Sequence, residues 1–228
     1  MNILVIDTAT EACSVAVQKA DDVVDQFEVC PQQHSKKILP MIDEVLVEAG
    51  LTFADVNVLG VAQGPGSFTG VRIAMGMIQG LSFAGQKPIV GLSTLQAMAQ
   101  ETYEDTGACR VISAIDARMS EVYVGEFRLD NNGIMALQGE QQVLPPEEVI
   151  SQYLHSDEAF GYAGTGWIAY EPLAERISGT PLIHYPKARY MLPQAAKLIQ
   201  DKAFTSADSI EPVYLRDKVT WKKLPGRE

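Results

Sequence analysis

The apolar positions of this chain fall into short runs separated by polar turns, and the spacing inside each run names an element. Residues 2–7 are an apolar run ending on an acid, residues 12–18 alternate loosely after a polar turn, and residues 22–29 form a third run. This pattern predicts three strands joined as hairpins. Ile38, Ile42, Val45, Leu46 and Ala49 then recur at helical spacing, and Gly50 follows as a stop. Pro40 lies in that stretch, where it removes a backbone donor, so the first turn of the helix is left open. Residues 57–62 predict a strand, a glycine-rich loop leads to a helix over 71–84, and residues 88–91 predict a short strand. Ser93-Thr94-Leu95-Gln96 carries the residues of a capping box and opens another helix.

The pattern then begins again. Residues 110–116 predict a strand ending on an acid, residues 121–129 a second, Asn131-Asn132-Gly133 a turn, and residues 134–143 a third strand. A helix follows Pro145-Pro146, residues 158–163 read as a strand, and a glycine loop over 161–166 leads to a further helix. Residues 181–184 read as a strand and 193–203 as a last helix. The openings correspond as well, Val5-Ile6-Asp7-Thr8-Ala9 beside Ala114-Ile115-Asp116-Ala117-Arg118. A period of half the chain marks a duplicated domain, since solenoid repeats run to only about 20–50 residues. Three antiparallel strands followed by alternating helices and strands predict an α/β protein with mixed sheets and helices on their faces. Two such halves, 1–104 and 105–228 with a boundary near 104–108, would face each other across a cleft.

Composition narrows the function. The 228 residues are 46% hydrophobic and 21% charged, ordinary for a globular chain. The formal charge of −11 argues against unaided binding to nucleic acid, whose phosphates need a basic face, and favours a basic partner. Three cysteines, Cys13, Cys30 and Cys109, never stand as Cys-x-x-Cys, so neither a disulfide framework nor structural zinc is expected, and a reducing compartment is. No basic segment precedes the first apolar run and no stretch reaches the roughly 18 residues of a membrane span. The expectation is a cytoplasmic protein without a membrane partner.

The sharpest local motif is Gly64-Pro65-Gly66-Ser67-Phe68-Thr69-Gly70, between a strand and a helix. Backbone N–H groups at a helix start attract anions, so Gly64, Gly66, Ser67, Thr69 and Gly70, steadied by Arg72, could cradle a phosphate or carboxylate. The same glycines also suit a tight turn, and no Gly-Lys-Ser/Thr ending makes this a P-loop. Asp7 and Asp116 end equivalent strands and would face the cleft, either holding magnesium beside a nucleotide or acting as turn acids. Thr8 and Thr10 could bond a phosphate, but Ala9-Thr10-Glu11-Ala12 crowds that place, so weak nucleotide binding or none is expected. His34, His155 and His184 have no second histidine four residues on, and no nucleophile has an evident base, so no metal and no catalytic residue is assigned. His34 with Ser35 reads as a helix start or a surface contact.

The helix over 71–84 has only Arg72, Gln79 and Ser82 as polar residues. A helix apolar nearly all round must be covered all round, by the core or by a partner. Gly76-x-x-x-Gly80 would let a second helix approach closely, and Met75, Met77 and Ile78 suit an adaptable contact. This helix therefore offers Arg72, Met75, Gly76, Met77, Ile78 and Gly80 as a contact surface. Glu211-Pro212-Val213-Tyr214-Leu215-Arg216 reads as an ordered tail. Lys218, Lys222, Lys223 and Arg227 make the end basic, which suits a solvated end or a touch on RNA or an acidic partner.

Together Ile3-Leu4-Val5-Ile6-Asp7-Thr8-Ala9-Thr10, His34-Ser35, the glycine loop with Val71-Arg72, Gly91-Leu92-Ser93-Thr94-Leu95, Asp116-Ala117-Arg118 and residues 211–216 resemble the TsaB (YeaZ) family. The resemblance runs from the first strand to Arg216. It implies a duplicated actin-like fold of the sugar kinase and Hsp70 kind. It also implies a part in making N6-threonylcarbamoyladenosine beside the anticodon of tRNAs that read A-starting codons. In that family's system TsaD, a paralogue, transfers the group to tRNA, TsaE is an ATPase partner, and ATP and a divalent metal serve those subunits. The TsaB-like chain itself is implied to be a non-catalytic subunit with no cofactor, which activates TsaD, self-associates as a dimer and meets tRNA only through the complex. The shared dimer surface that the resemblance implies joins Arg72, Met75, Gly76, Met77, Ile78 and Gly80 to His34, Ile38, Met41 and Ile42 of the preceding helix, and Met75→Asp or Ile78→Asp should then break the contact while the fold survives. Older family descriptions call it a glycoprotease, but the paralogue's two metal histidines correspond here to His34 and Ile38, so one ligand is missing. An independent ATPase or kinase-like enzyme using the cleft remains the alternative.

Overall fold

A computed structural model describes residues 1–154 and 158–216. The first three strands are β1 (Asn2–Asp7), β2 (Ala12–Lys19) and β3 (Asp22–Val29), paired antiparallel in sequence. Helix α1 (His34–Glu48) follows, then β4 (Val58–Gly64), α2 (Phe68–Gly85), β5 (Ile89–Ser93) and α3 (Thr94–Thr106). The sheet order is β3-β2-β1-β4-β5, with β1, β4 and β5 parallel. The second half repeats this with β6 (Arg110–Arg118), β7 (Glu121–Leu129), β8 (Met135–Leu144), α4 (Pro146–Tyr153), β9 (Gly161–Ala163), α5 (Gly166–Ala169), α6 (Glu171–Ala174) and α7 (Leu192–Gln200). Its sheet order is β8-β7-β6-β9. Strand for strand, β6-β7-β8-β9 reproduces β1-β2-β3-β4, the duplication the sequence predicts.

The repeat extends to single bonds. Asp7 Oδ1 accepts the N–H of Ala9 at 2.8 Å, and Asp116 Oδ1 accepts the N–H of Arg118 at 2.8 Å. Asp7 thus turns the chain out of β1 by bonding the backbone two residues on, whereas Asp116 makes the same bond inside β6, where the register with β7 shifts. Both strands are buried on both faces and read as near-continuous Val, Ile, Leu and Ala.

Three expectations change. Helix α1 begins at His34 and runs through Pro40, which sits on its exposed side where water can meet the freed carbonyl. Residues 181–184 form no strand, and one backbone bond, Gly164 N–H to Ile183 O at 2.8 Å, is what ties them to the sheet end. The packing units also differ from the sequence halves. Leu95, Met98 and Ala99 of α3 pack with Val111, Ile115 and Phe127 of the second half, so α3 covers the second sheet. Ala188, Met191, Leu192, Ala195 and Ile210 pack into the core of the first. Each half thereby lends a terminal segment to the other, and the tail returns to the first sheet through the Ile89–Thr205 bridge and the Val213 N–H bond to Gln63 O at 2.9 Å. His155 and the basic tail residues lie outside the described residues.

Candidate functional site

Between the halves lies a cleft of about 630 Å³, walled by Ala9, Thr10 and Glu11, by Gly66–Phe68, and by Ile115–Met119 with Thr165, Tyr185 and Arg216. Asp116 lines it. Asp7 does not: it is fully buried, its Oδ2 has no hydrogen-bond partner, and burial pushes its carboxyl up to about 7 against the opposing backbone bonds from Ala9 and Thr8. The paired-acid arrangement is therefore not formed at the cleft surface. The reason is local. Asp7 lies directly before a turn that Thr8 Oγ1 ties to the glycine loop by donating to Gly70 O at 2.7 Å.

The glycine loop is occupied by the chain's own backbone. A Cβ at Gly66 would meet Ala9 O at 2.4 Å, and one at Gly70 would meet Thr8 O at 2.1 Å. Ser67 N–H donates to Ala9 O at 2.7 Å, and Ser67 Oγ caps α2 by accepting from Gly70 N–H at 3.3 Å. Close approach of the first strand's turn thus accounts for Gly66 and Gly70, and only Ser67, Phe68 and Thr69 stand exposed. Gly70→Ala is expected to cost about 2–4 kcal/mol, since backbone must move and the Thr8 bond is lost. Urea unfolding checks this against Gly76→Ala, where a Cβ meets nothing within 4 Å.

The charges of the cleft are matched internally. Asp116 Oδ1 also accepts from Tyr170 Oη at 2.8 Å, its Oδ2 lies 3.0 Å from the Arg118 guanidinium, and burial with the Asp116 bond pushes the Tyr170 phenol up to about 12. Arg118 reaches on to Glu11 of the first half at 3.4 Å. Arg216 donates to Ala117 O, Arg118 O and Glu121, so the tail clamps the β6–β7 turn.

The expected partner surface divides in two. His34, Ile38, Met41 and Ile42 of α1 and Met75 and Ile78 of α2 are buried; Ile38 and Ile78 are 0% exposed. These side chains hold the helices on the first sheet and cannot meet a partner, so Met75→Asp and Ile78→Asp would break the core. Arg72, Gly76 and Gly80 face outward and Met77 is half-buried. The sequence reading missed Phe68 and Phe83, 64% and 85% exposed on that outer face. Arg72 lies 3.2 Å over the Phe68 ring and 5.1 Å from that of Tyr214, so its charge is engaged by aromatic faces at the helix start. The result is an apolar outward face along α2, with open space above Gly76 and Gly80. No helix among the described residues is long and apolar enough to cross a membrane.

Residues 27–223 match the family model described as "TsaD: tRNA N6-adenosine threonylcarbamoyltransferase". The chain is 44% identical to the tRNA threonylcarbamoyladenosine biosynthesis protein TsaB of Escherichia coli K12, over 100% of both chains. It is also 44% identical to the protein of that name from Haemophilus influenzae, over 100% of this chain and 99% of the other. Among solved structures it is similar to YeaZ from Pseudomonas aeruginosa, with a TM-score of 0.84 and 40% identity over 94% of this chain and 99% of that one. A second Pseudomonas aeruginosa structure, described as an uncharacterized protein with similarity to peptidase YeaZ, gives a TM-score of 0.86 at 40% identity. The duplicated mixed sheets are accordingly an actin-like fold, and the chain belongs to the TsaB (YeaZ) family.

Proposed function

We propose that this chain takes part in N6-threonylcarbamoyladenosine synthesis as a non-catalytic subunit, which binds and activates a TsaD-type transferase through the outer face of α2. The observation that carries the reading is that face: Gly76 and Gly80 leave a close-approach groove that nothing fills among the described residues, Phe83 stands exposed beside it, and half-buried Met77 and Phe68, the latter stacked with Arg72 and Tyr214, flank it. The internally matched charges of the cleft support a scaffold role, because Asp116, Arg118 and Glu11 are already engaged with one another and with Tyr170. Transfer beside the anticodon, self-association through the same face, and contact with TsaE and tRNA inside the complex belong to this reading. ATP and a divalent metal would then serve the partner subunits.

Reconstituted tRNA modification tests it. Leaving this chain out is expected to abolish the threonylcarbamoyladenosine measured by nucleoside mass spectrometry, and adding it back to restore it. Undiminished product without the chain would refute an obligatory activating subunit. The size of the cleft keeps one rival, a nucleotide enzyme, which requires saturable ATP binding to the isolated chain that Asp116→Ala removes.

A further inference from the structure

Where the edge strand of the first sheet meets the segment 182–187 lies a pocket of about 280 Å³, which adjoins the cleft through Tyr185 and shares no residue with the α2 face. Phe27 and Val29 of the edge strand β3 form one wall, Glu101 of α3 lies below, and Leu182, His184 and Lys187 close the other side. Phe27, Val29 and Leu182 are 37%, 50% and 81% exposed, an apolar rim with nothing over it among the described residues.

The interior is polar and incompletely bonded. Glu101 is 2% exposed; its Oε1 pairs with the Lys187 ammonium, and its Oε2 is buried without a partner. His184 Nε2 is likewise buried without a partner. Buried polar atoms are nearly always bonded. Of five such atoms among the described residues, two belong to residues lining this one pocket. Lys187 Nζ also lies 5.6 Å from the Phe27 ring, which places the charge under the rim.

These groups select a ligand class. A lone cation would meet Lys187 and a lone anion would meet Glu101. A neutral amide offers an N–H to the carboxylate and a C=O to the ammonium, while an apolar substituent covers Phe27, Val29 and Leu182. The volume falls just below the roughly 300–1,000 Å³ of small-molecule sites, which suits one residue better than a whole cofactor. Among the described residues no strand pairs with the outer edge of β3, and a free edge offers backbone groups to an extended chain. We infer that this pocket binds one apolar residue of an extended peptide segment from a partner protein, read by its amide group and its side chain. The inference stands apart from the role assigned to α2.

N-acetyl-leucine methylamide is the probe, titrated into the full chain and followed by amide- and imidazole-resolved NMR. Saturable shifts are expected at Phe27, Val29, Leu182 and the His184 ring, weakened about tenfold by Leu182→Asp or Val29→Asp, exposed positions where the fold survives. Free leucine should bind more weakly. No shift at millimolar probe, or binding indifferent to both substitutions, would overturn the site. Tighter binding of free leucine would overturn the peptide assignment in favour of a free amino acid.

Discussion

The double substitution Gly76→Leu, Gly80→Leu is expected to make the free chain more stable and to abolish its complex with a TsaD-type partner. The two effects have separate causes. Both glycines lie inside α2, where glycine costs about 0.8–1.0 kcal/mol relative to alanine and leucine costs little. A Cβ at either position meets nothing within 4 Å in the free chain. The substitution should therefore add about 1.5 kcal/mol, or roughly 4 °C in melting temperature for a chain of this size. In the complex the same leucines occupy the groove through which a partner helix would approach, and the axes must separate. Loss of a central contact of this kind costs at least about 2 kcal/mol, some 30-fold in affinity. Phe83→Asp, on the same exposed face, should weaken the complex without unfolding the chain. Ile78→Asp should lose the complex only because it buries a charge and unfolds the chain. Thermal melting and size-exclusion chromatography with the partner read both quantities. A double variant that still forms the complex would remove α2 from the interface.

The contrast between Gly76 and Ile78 also marks where the sequence stops informing. Strands β1, β2, β6 and β7 were legible because their apolar runs end at acids and turns, and the matching Asp7 and Asp116 made the duplication visible. Helix α2 was legible as a helix but not in phase. With only Arg72, Gln79 and Ser82 polar, its periodicity cannot say which face meets the sheet, and Met75 and Ile78 were assigned outward although they point in. Helix α3 was legible from its capping box, yet its buried Leu95, Met98 and Ala99 do not name the sheet they cover. Asp7 and Asp116 are equivalent in sequence and unequal in surroundings: Asp7 is fully buried beside a turn tied to Gly70 through Thr8, while Asp116 lines the cleft. The pocket at the β3 edge joins residues from 27 to 187, so no local motif could signal it.

Asp7 should set the pH dependence of stability. In the folded chain its carboxyl holds a proton up to about pH 7, whereas its ordinary value is 3.8. Between these values the folded state binds the extra proton, so stability falls as pH rises from about 4 to about 7 and stays lower above. Three units at about 1.36 kcal/mol each give a loss of about 4 kcal/mol. Glu101, also raised by burial, runs in the same direction above its ordinary 4.5. Asp130 and Glu126, held low by hydrogen bonds and by Arg110, have the opposite sign and act below their ordinary 3.8 and 4.5, outside most of this window. Asp7→Asn keeps an oxygen for the Ala9 N–H and cannot ionise. It should match the parent near pH 4, exceed it by about 4 kcal/mol near pH 8, and lose most of the intervening slope. Urea midpoints across that range measure the difference. A slope unchanged by the substitution would mean that the buried carboxyl is ionised in the folded chain, with its free oxygen bonded by a group that moves to reach it.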